Sequence, residues 1–570
     1  MFIIMSNSIY SKVQLRAPKR SVFDLSYQNA FTAKFGGIYP VWIEDCVPGD
    51  KIRYSNASLV RMNPLSAPFM GSVKATVHTF FVPYRILWSE WEEFITGGRL
   101  GTSNPSVPYI AVGTGSGASD SNLLDFLSYS NTFYGGDPAT RTEITPLIQS
   151  VSSSIRSVPN ALPFLAYWKI WNDYYRDQNL CPDIYPEALR TGIVNEDGLY
   201  LNTGNSVSLG TKFKSNVSIV YPYDVAYRAW RKDLFTSALP FAQRGDSVKI
   251  PIAGLVPVLG SGNRGILKGV QYSDNNGTNP TGVDVHMQGG TLLVGSTSAP
   301  NLAFNVNWTD KDSPFMVNLG DSSSVSIEDL RSANALQRWL ERNAIGGGRY
   351  VEQILSHFAE RVPDYRLDRP EFIGGNTYNV MSSRIAQTSE DGNTPLGTLG
   401  GEGFGSGSMK PATYRCREHG LMISLMSIIP ESHYSQGCHR RNLKRNKLDY
   451  FFPEFENLGE QSINNSEIFV TGTAFDEKDF GYGPRYYEYK DRTSETHGLF
   501  RTSMSYWVPQ RIFKSLPGLN NDFVQVNPVK EGSLNNIFAV TEGFAEQMQV
   551  LVHNSVRAIR PMSKFSKFNF

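Results

Sequence analysis

A chain of 570 residues with 54 basic and 53 acidic side chains has a net charge of +1, which excludes both a histone-like polycation and an acidic disordered chain. Charged residues make up 19% and aromatic residues 12%, with 50 glycines and 32 prolines, so the chain buries large cores, turns often and carries less charge than the roughly 25% of an ordinary soluble domain. That composition suits a β-rich protein whose surface is partly covered by other subunits, and the four scattered cysteines (Cys46, Cys181, Cys416, Cys438) exclude a disulfide scaffold and favour a reducing compartment.

Residues 1–23 hold Lys12, Arg16, Lys19 and Arg20 with no acid before Asp24, a basic arm. The apolar start Met1–Met5 lacks a basic stretch before it and does not read as a secretory signal. Strand patterns follow over Gly36–Cys46, Lys51–Met62 and Gly71–Val82. In the last, Val73, Ala75 and Val77 face one way and Lys74, Thr76 and His78 the other. After Pro83 the spacing turns helical over Tyr84–Thr96, with Leu87, Trp88, Trp91, Phe94 and Ile95 on one side and Gly97-Gly98 as the stop. Residues 98–157 are rich in Gly, Ser, Asn and Thr and read as an insertion without its own core.

A helix is expected after Asn160, with Pro163 in its first turn and Phe164, Trp168, Trp171 and Tyr175 forming an aromatic stripe that packs on a sheet. Residues 246–325 form a second insertion. Ser326 with Asp329 opens a helix whose buried side is Leu330, Ala333, Leu336 and Leu340, closed by Gly346-Gly347-Gly348, and a partner helix runs over 349–362. Residues 374–410, including Gly400-Gly401-Glu402-Gly403-Phe404-Gly405, read as glycine-rich loop. Strands resume over Gly420–Ile429, Ser466–Thr473, Tyr482–Tyr489, Asn536–Thr541 and Met548–Arg560. In the last of these, Val550, Val552, Val556 and Ala558 oppose Gln549, His553, Ser555 and Arg557. The longest apolar stretch, Leu421–Ile429, is far short of the roughly 20 residues that span a bilayer. Strands at both ends with helices and long loops between them predict an antiparallel sandwich with expanded connections, not a doubly wound sheet.

Four kinds of chemistry are candidates. Cys416/His419 and His433/Cys438 have spacings that zinc uses, yet the strand between them holds the pairs roughly 30 Å apart. Gly260-Ser261-Gly262-Asn263-Arg264-Gly265 matches a dinucleotide fingerprint, but no helix can follow it. Glu90, Glu92 and Glu93 beside Trp88 and Trp91 resemble a glycosidase cleft, but they occupy the polar side of an amphipathic segment. Basic residues interleaved with rings are the strongest signal. The run His439–Lys447, with Arg440, Arg441, Lys444 and Arg445, leads into Tyr450-Phe451-Phe452, and the C-terminus places Arg557, Arg560, Lys564 and Lys567 among Phe565, Phe568 and Phe570 with no acid after Glu546. Cations for phosphate and rings for unpaired bases are what single-strand binding needs; the same residues would equally serve a contact between subunits. No cofactor or metal is expected.

Further motifs carry a family resemblance: Val47-Pro48-Gly49-Asp50, Phe80-Phe81-Val82-Pro83-Tyr84-Arg85-Ile86-Leu87-Trp88, Asn160-Ala161-Leu162-Pro163-Phe164 through Trp171-Asn172 to Arg176-Asp177-Gln178-Asn179-Leu180, Asp233 to Pro240, Gly347-Gly348-Arg349-Tyr350, Arg369 to Gly375, Leu458-Gly459-Glu460-Gln461, and Phe480-Gly481-Tyr482 with Arg485-Tyr486. In this order they resemble the major capsid protein of the Microviridae, closest to the gokushovirus-like branch of small single-stranded DNA phages. The resemblance implies a mainly β chain, residues 1–570 as one eight-stranded antiparallel jelly roll with long inter-strand insertions containing several α-helices. It implies a non-enzymatic subunit of a sixty-copy T=1 icosahedral shell around a circular genome, assembled in the bacterial host cytoplasm and found in the virion. Implied partners are further copies of the chain, the single-stranded DNA genome, a small basic DNA-packaging protein, a minor pilot protein and a host surface receptor. The 246–325 segment is the candidate threefold protrusion and 98–157 its rival. The 439–447 run is more basic than the family leads one to expect, and no family motif anchors the C-terminal tail. A β-sandwich carbohydrate-active enzyme or lectin would explain the aromatics and strands but not the basic termini, and a free single-strand-binding protein is the third reading.

Overall fold

The computed structural model describes residues 19–105, 107, 110–112, 123–128, 131–132, 145–146, 160–181, 199–201, 225–245, 255–257, 284–288, 291–295, 302–304, 316–318, 327–347, 349–386, 399–539 and 546–565. The chain divides into two compact units, Met1–Ala242 with Asn343–Phe570, and Gln243–Arg342.

The first unit is built on an antiparallel sheet of ten strands: β1 (Ser21–Asp24), β2 (Tyr27–Ala33), β3 (Ile38–Cys46), β4 (Lys51–Met62), β5 (Val73–Pro83), β6 (Glu371–Ala386), β7 (Leu399–Ser408), β8 (Ala412–Arg415), β9 (Gly420–Pro430) and β10 (Met548–Arg560). Their spatial order is β1-β10-β4-β7-β6-β5-β9-β3, with β2 also on β10 and β8 also on β4. Because β1 and β2 pair with successive parts of β10, and β8 and β7 with successive parts of β4, the ten strands fill eight lanes. The fold is mainly β, as expected.

The sheet curls because β6 changes partners along its length. Glu371–Val380 pairs with β5, and Met381–Ala386 with β7. Across the interior, Trp42 of β3 stacks on Tyr54 of β4 with ring centroids 4.1 Å apart. Asn29 and Asn554 each donate a side-chain N–H to the Val41 carbonyl, at 3.2 and 2.9 Å, which brings the lane of β2 and β10 back to β3.

Alternation builds the interior. On β4, Ile52, Tyr54, Val60 and Met62 are buried, and on β10 Met548, Val550, Val552, Val556 and Ala558, with Val550 opposite Val60 and Met548 opposite Met62. Each large apolar side chain removed from water contributes roughly 1.5–3 kcal/mol, which fixes the register, because a one-residue slip would expose the whole set. Helix α2, which follows α1 (Trp91–Thr96) and spans Leu162–Ile170, covers this core as expected, with Pro163 in its first turn. Phe164 and Trp168 are buried, and the helix continues as a wider turn over Trp171–Tyr175. The Tyr167 hydroxyl fastens it by donating to the Ile38 carbonyl at 2.8 Å and accepting from the Ala226 N–H at 2.9 Å.

Several expectations are corrected. The glycine-rich 374–410 segment contains β6 and β7. In β7 the glycines recur at every second residue, so the period is that of a strand whose inner face is left blank. A Cβ on Gly407 would stand 2.2 Å from the Tyr378 ring, and one on Gly403 2.5 Å from the Met62 sulfur. Tyr84–Thr96 is not one helix. Tyr84–Ile86 forms a 3-10 turn, Leu87 and Trp88 plunge into the core, and α1 starts afresh at Trp91, leaving Ile95 half exposed. Ser466–Thr473 is not a strand. Asn464 and Glu467 form a reciprocal capping box over the helical turn Asn465–Ile468, a pattern that outweighs the apolar run. The strand predicted over Tyr482–Tyr489 lies at Asp479–Gly483 and is ended by Pro484. In place of the strand at Asn536–Thr541 a 3-10 segment spans Gly532–Ile537. The end of the basic arm, residues 21–23, belongs to strand β1; residues 1–18 lie outside the described residues. Of the 98–157 insertion, Leu123 and Leu127 join the main core.

The second unit contains the meander Asp284–Gln288, Thr291–Gly295 and Leu302–Phe304, and the pair Leu255–Pro257 with Met316–Asn318. Most of helix α3 (Ile327–Gly346) belongs to it. The predicted buried side of α3 is not buried: Leu330 and Leu336 are 48% exposed, while Ala333 and Leu340 are half-buried. Helix α4 (Tyr350–Phe358), in the first unit, is shorter than expected and ends at Ala359 in a left-handed conformation (φ 54°). Among the described residues no helix is long and apolar enough to cross a membrane.

Candidate nucleic-acid interface

The run His439–Lys447 lies in the irregular segment after β9 and folds as 3-10 turns at Arg440–Asn442 and Lys447–Asp449. Its cations divide into two sets. Arg440 donates to the Ser462 carbonyl at 2.7 Å, pairs with Glu467 at 2.9 Å and lies over the Tyr487 ring. Burial pushes the Glu467 carboxyl up to about 7 even though the Asn464 N–H and Arg440 pull it down. Lys444 pairs with Glu488 at 2.7 Å, donates to the Tyr489 hydroxyl at 2.8 Å and sits 4.0 Å from that ring's centroid. Burial opposes its charge, but Glu488 and Tyr489 hold its pKa above the ordinary lysine value. These two cations answer carboxylates inside the fold. Arg441, Arg445 and Lys447 are exposed, beside Tyr450, Phe451 and Phe452, which are also exposed.

The C-terminal set divides in the same way. Arg560 is bonded to Glu44, lies 3.7 Å from Asp50 and donates to the Asp45 carbonyl at 3.1 Å. Arg557 is on the outward face of β10, opposite Asp24 of β1 and Arg53 of β4. Lys564 and Phe565 are exposed, and Lys567 and Phe568 lie outside the described residues.

The other sequence candidates are dispersed. Glu90, Glu92 and Glu93 are exposed. Cys416 is buried against Cys46, whose thiol is held protonated by its hydrogen bond to Cys416 and by burial. His419 lies against Trp91, while His433 and Cys438 follow the far end of the extended β9. Among the described residues no group of three potential metal ligands occurs. The glycine fingerprint at 260–265 lies outside the described residues.

Sequence reasoning missed a cleft of about 1160 Å³, floored by Lys74, Thr76 and His78 of β5 and walled by Tyr175, Arg228 and Phe372. The alternation on β5 marked that face as polar, but nothing in the local pattern around Arg228 signals that it lies over the sheet. The Arg228 guanidinium donates to the Ser427 hydroxyl at 2.9 Å and lies 5.7 Å from the Tyr175 ring centroid. Burial pushes its pKa down, and no carboxylate offsets the push. His78 bonds the Tyr175 hydroxyl through Nδ1 at 2.9 Å. Burial, assisted by Arg228, lowers its pKa to about 4, so the imidazole is neutral at neutral pH.

Comparison with known proteins identifies the family to which this sheet and its connections belong. The sequence matches the family described as capsid protein (F protein) over residues 11–569. It is 30% identical to capsid protein VP1 of Chlamydia phage 1, covering 92% of each chain. It is 30% identical to capsid protein VP1 of Bdellovibrio phage phiMH2K (90% of this chain, 89% of the relative) and 28% identical to that of Spiroplasma virus 4 (89% and 87%). The resemblance carried by the motifs is thereby borne out: the chain belongs to the F-type capsid protein family of the Microviridae, in its gokushovirus-like branch, and is a structural component of a virion rather than an enzyme.

Proposed function

We propose that sixty copies of this chain close into a T=1 icosahedral shell around a circular single-stranded DNA genome. The observation that carries this reading is the match to the capsid family across nearly the whole chain, residues 11–569. Heterologous contacts that close by symmetry suit a subunit that leaves large apolar side chains at its surface, among them Phe358, Phe475 and Leu499 at 79, 55 and 64% exposure. Assembly takes place in the host cytoplasm with a small basic packaging protein and a pilot protein. The 246–325 segment is the protrusion that meets the host receptor, a reading supported by the separate compactness of Gln243–Arg342. Arg441, Arg445, Arg557, Lys564 and Phe565 are the exposed members of the basic sets offered to the genome, with Lys567 and Phe568 of the tail continuing them; Arg440, Lys444 and Arg560 support the same surface from within.

Electron microscopy of the purified protein tests the shell. Closed particles of one diameter with sixty subunits are expected, and a monomer or dimer under every assembly condition would overturn the reading. Deleting 258–283 should leave particles that have lost surface relief and host attachment.

A further inference from the structure

The outward face of the sheet over β6, β7, β4 and β10 carries an apolar patch that the folded chain leaves open. On these strands the buried side chains take the inner face, so the outward positions should be polar, as Ser383, Ser406 and Gln549 are. Met381, Phe404 and Leu551 break that rule, at 69, 46 and 39% exposure. The register makes them neighbours. Met381 is opposite Phe404, and Phe404 is opposite Arg61. Leu59, two residues from Arg61 on the same face, is opposite Leu551. Ile385, also exposed, extends the patch along β6. Single apolar side chains at a surface need no explanation, but a contiguous set on a sheet face marks a contact surface.

Two opposite charges share this face. Arg61 stands on the rung of Met381 and Phe404, one lane beyond the ring, and Glu402 lies two residues from Phe404 along β7. Both are exposed, and no described residue gives either side chain an ion pair or a hydrogen bond. A foreign surface of one sign would answer one of these charges and repel the other, whereas a second copy of the same face answers both. The lattice of the sheet, about 4.8 Å between lanes and about 3.3 Å per residue, allows that match. A twofold axis laid obliquely across the Met381–Phe404 rung sets each of these two side chains against its own image. The same axis carries Arg61 of one copy over Glu402 of the other and turns Leu59 toward Ile385. Arg53 and Arg557, paired further along β4 and β10, go to opposite ends of the contact, so these like charges do not meet.

We infer that this face is an isologous twofold contact between two copies of the chain, with Phe404 and Met381 at its centre and Arg61 of each copy paired with Glu402 of the other. The inference rests on the shell reading and deepens it, naming the surface at the twofold axes, where each subunit of an icosahedral shell meets one other copy.

Sedimentation of the purified full-length chain over a range of concentrations tests the contact. The wild-type chain should form a dimer. Arg61→Glu and Glu402→Arg should each weaken it about 100-fold, because either change sets two like-charge pairs across the axis. Mixed in equal amounts, the two variants should dimerise again, since every pair across the axis of the mixed dimer is once more of opposite sign. A loss of folding in either variant could not produce that recovery. Phe404→Ser, at a position already open to water, should weaken the dimer about tenfold and leave the thermal midpoint of the monomer unchanged. A wild-type chain that forms no dimer at any concentration would leave the patch to another polypeptide and overturn the inference. Single variants that dimerise like the wild type, or a mixture that does no better than its components, would overturn it as well. Electron microscopy of the same preparations separates the two readings. Dimers that never close into particles would sink the shell alone, and wild-type yields of closed particles from Arg61→Glu would sink the twofold contact alone.

Discussion

The curled sheet and the irregular segment from Glu431 to Ala539 solve the same problem by different means. In the sheet the backbone groups are paired chiefly by the ladders of neighbouring strands, so the buried side chains can be apolar, and buried polar ones form closed pairs such as Thr79 with Ser424 at 2.8 Å. The irregular segment has no long strand, and alongside scattered backbone bonds such as Cys438 N–H to the Ser466 carbonyl, side chains satisfy part of its backbone. Gln436 accepts from the Phe513 N–H at 2.7 Å and donates to the Phe513 carbonyl at 2.8 Å, as a neighbouring strand would. Arg511, 1% exposed, bonds Glu531 at 2.8 Å and the Phe523 carbonyl at 2.7 Å beneath Trp230. Repetition permits an apolar interior, and irregularity demands buried polar groups with specific partners.

The largest test of this contrast is Arg511→Met, which strands the Glu531 carboxyl in the interior and should cost about 3–5 kcal/mol in urea denaturation, with partial recovery on adding Glu531→Leu. Next is pH. Glu467 has a folded-state pKa of about 7 against 4.5 for the free group. Below 4.5 both states hold the proton and nothing is lost. Between 4.5 and 7 only the folded state holds it, so stability falls as pH rises, by up to ~3 kcal/mol in all. Glu467→Gln should flatten that part of the difference in denaturation midpoint against pH. In the sheet, Asn554→Ala removes the bonds to Tyr54 (2.9 Å) and to the Val41 carbonyl (2.9 Å) and should cost about 2 kcal/mol, because both partners stay buried. Smallest is Gly407→Ala, which presses on the Tyr378 ring and should cost about 1–2 kcal/mol on the same assay. An Arg511→Met variant as stable as wild type would erase the distinction between the two regions.

The sheet was the legible part because alternation is a local signal: β4 matches its predicted limits, Lys51–Met62, and β10 its own, Met548–Arg560. Where hydrophobicity misled, the cause was equally local. The apolar run at Ile468–Val470 looked like a strand, although Asn464 and Glu467 had already spelled a helix cap. The basic runs were visible as composition, but charge in sequence does not say which way a side chain turns. Arg440, Lys444 and Arg560 turned inward because Glu467, Glu488 and Glu44 approach from distant positions. The cleft escaped notice for the same reason: Arg228, Lys74 and Phe372 are far apart in the chain and line one space only once β5, β6 and β9 lie side by side.

The blank inner face of β7 has one more consequence. Sliding this strand by two residues would replace glycine with glycine at most inner positions, so it holds almost no information about its own alignment. The teeth that set its place belong to others, Met62 on one side and Val380 and Tyr378 on the other. A one-residue slip, by contrast, would drive Glu402 and Phe404 into the interior. The corner where the sheet turns is thus specified by its neighbours, and substitutions at Met62 or Tyr378 act on a strand that they only border.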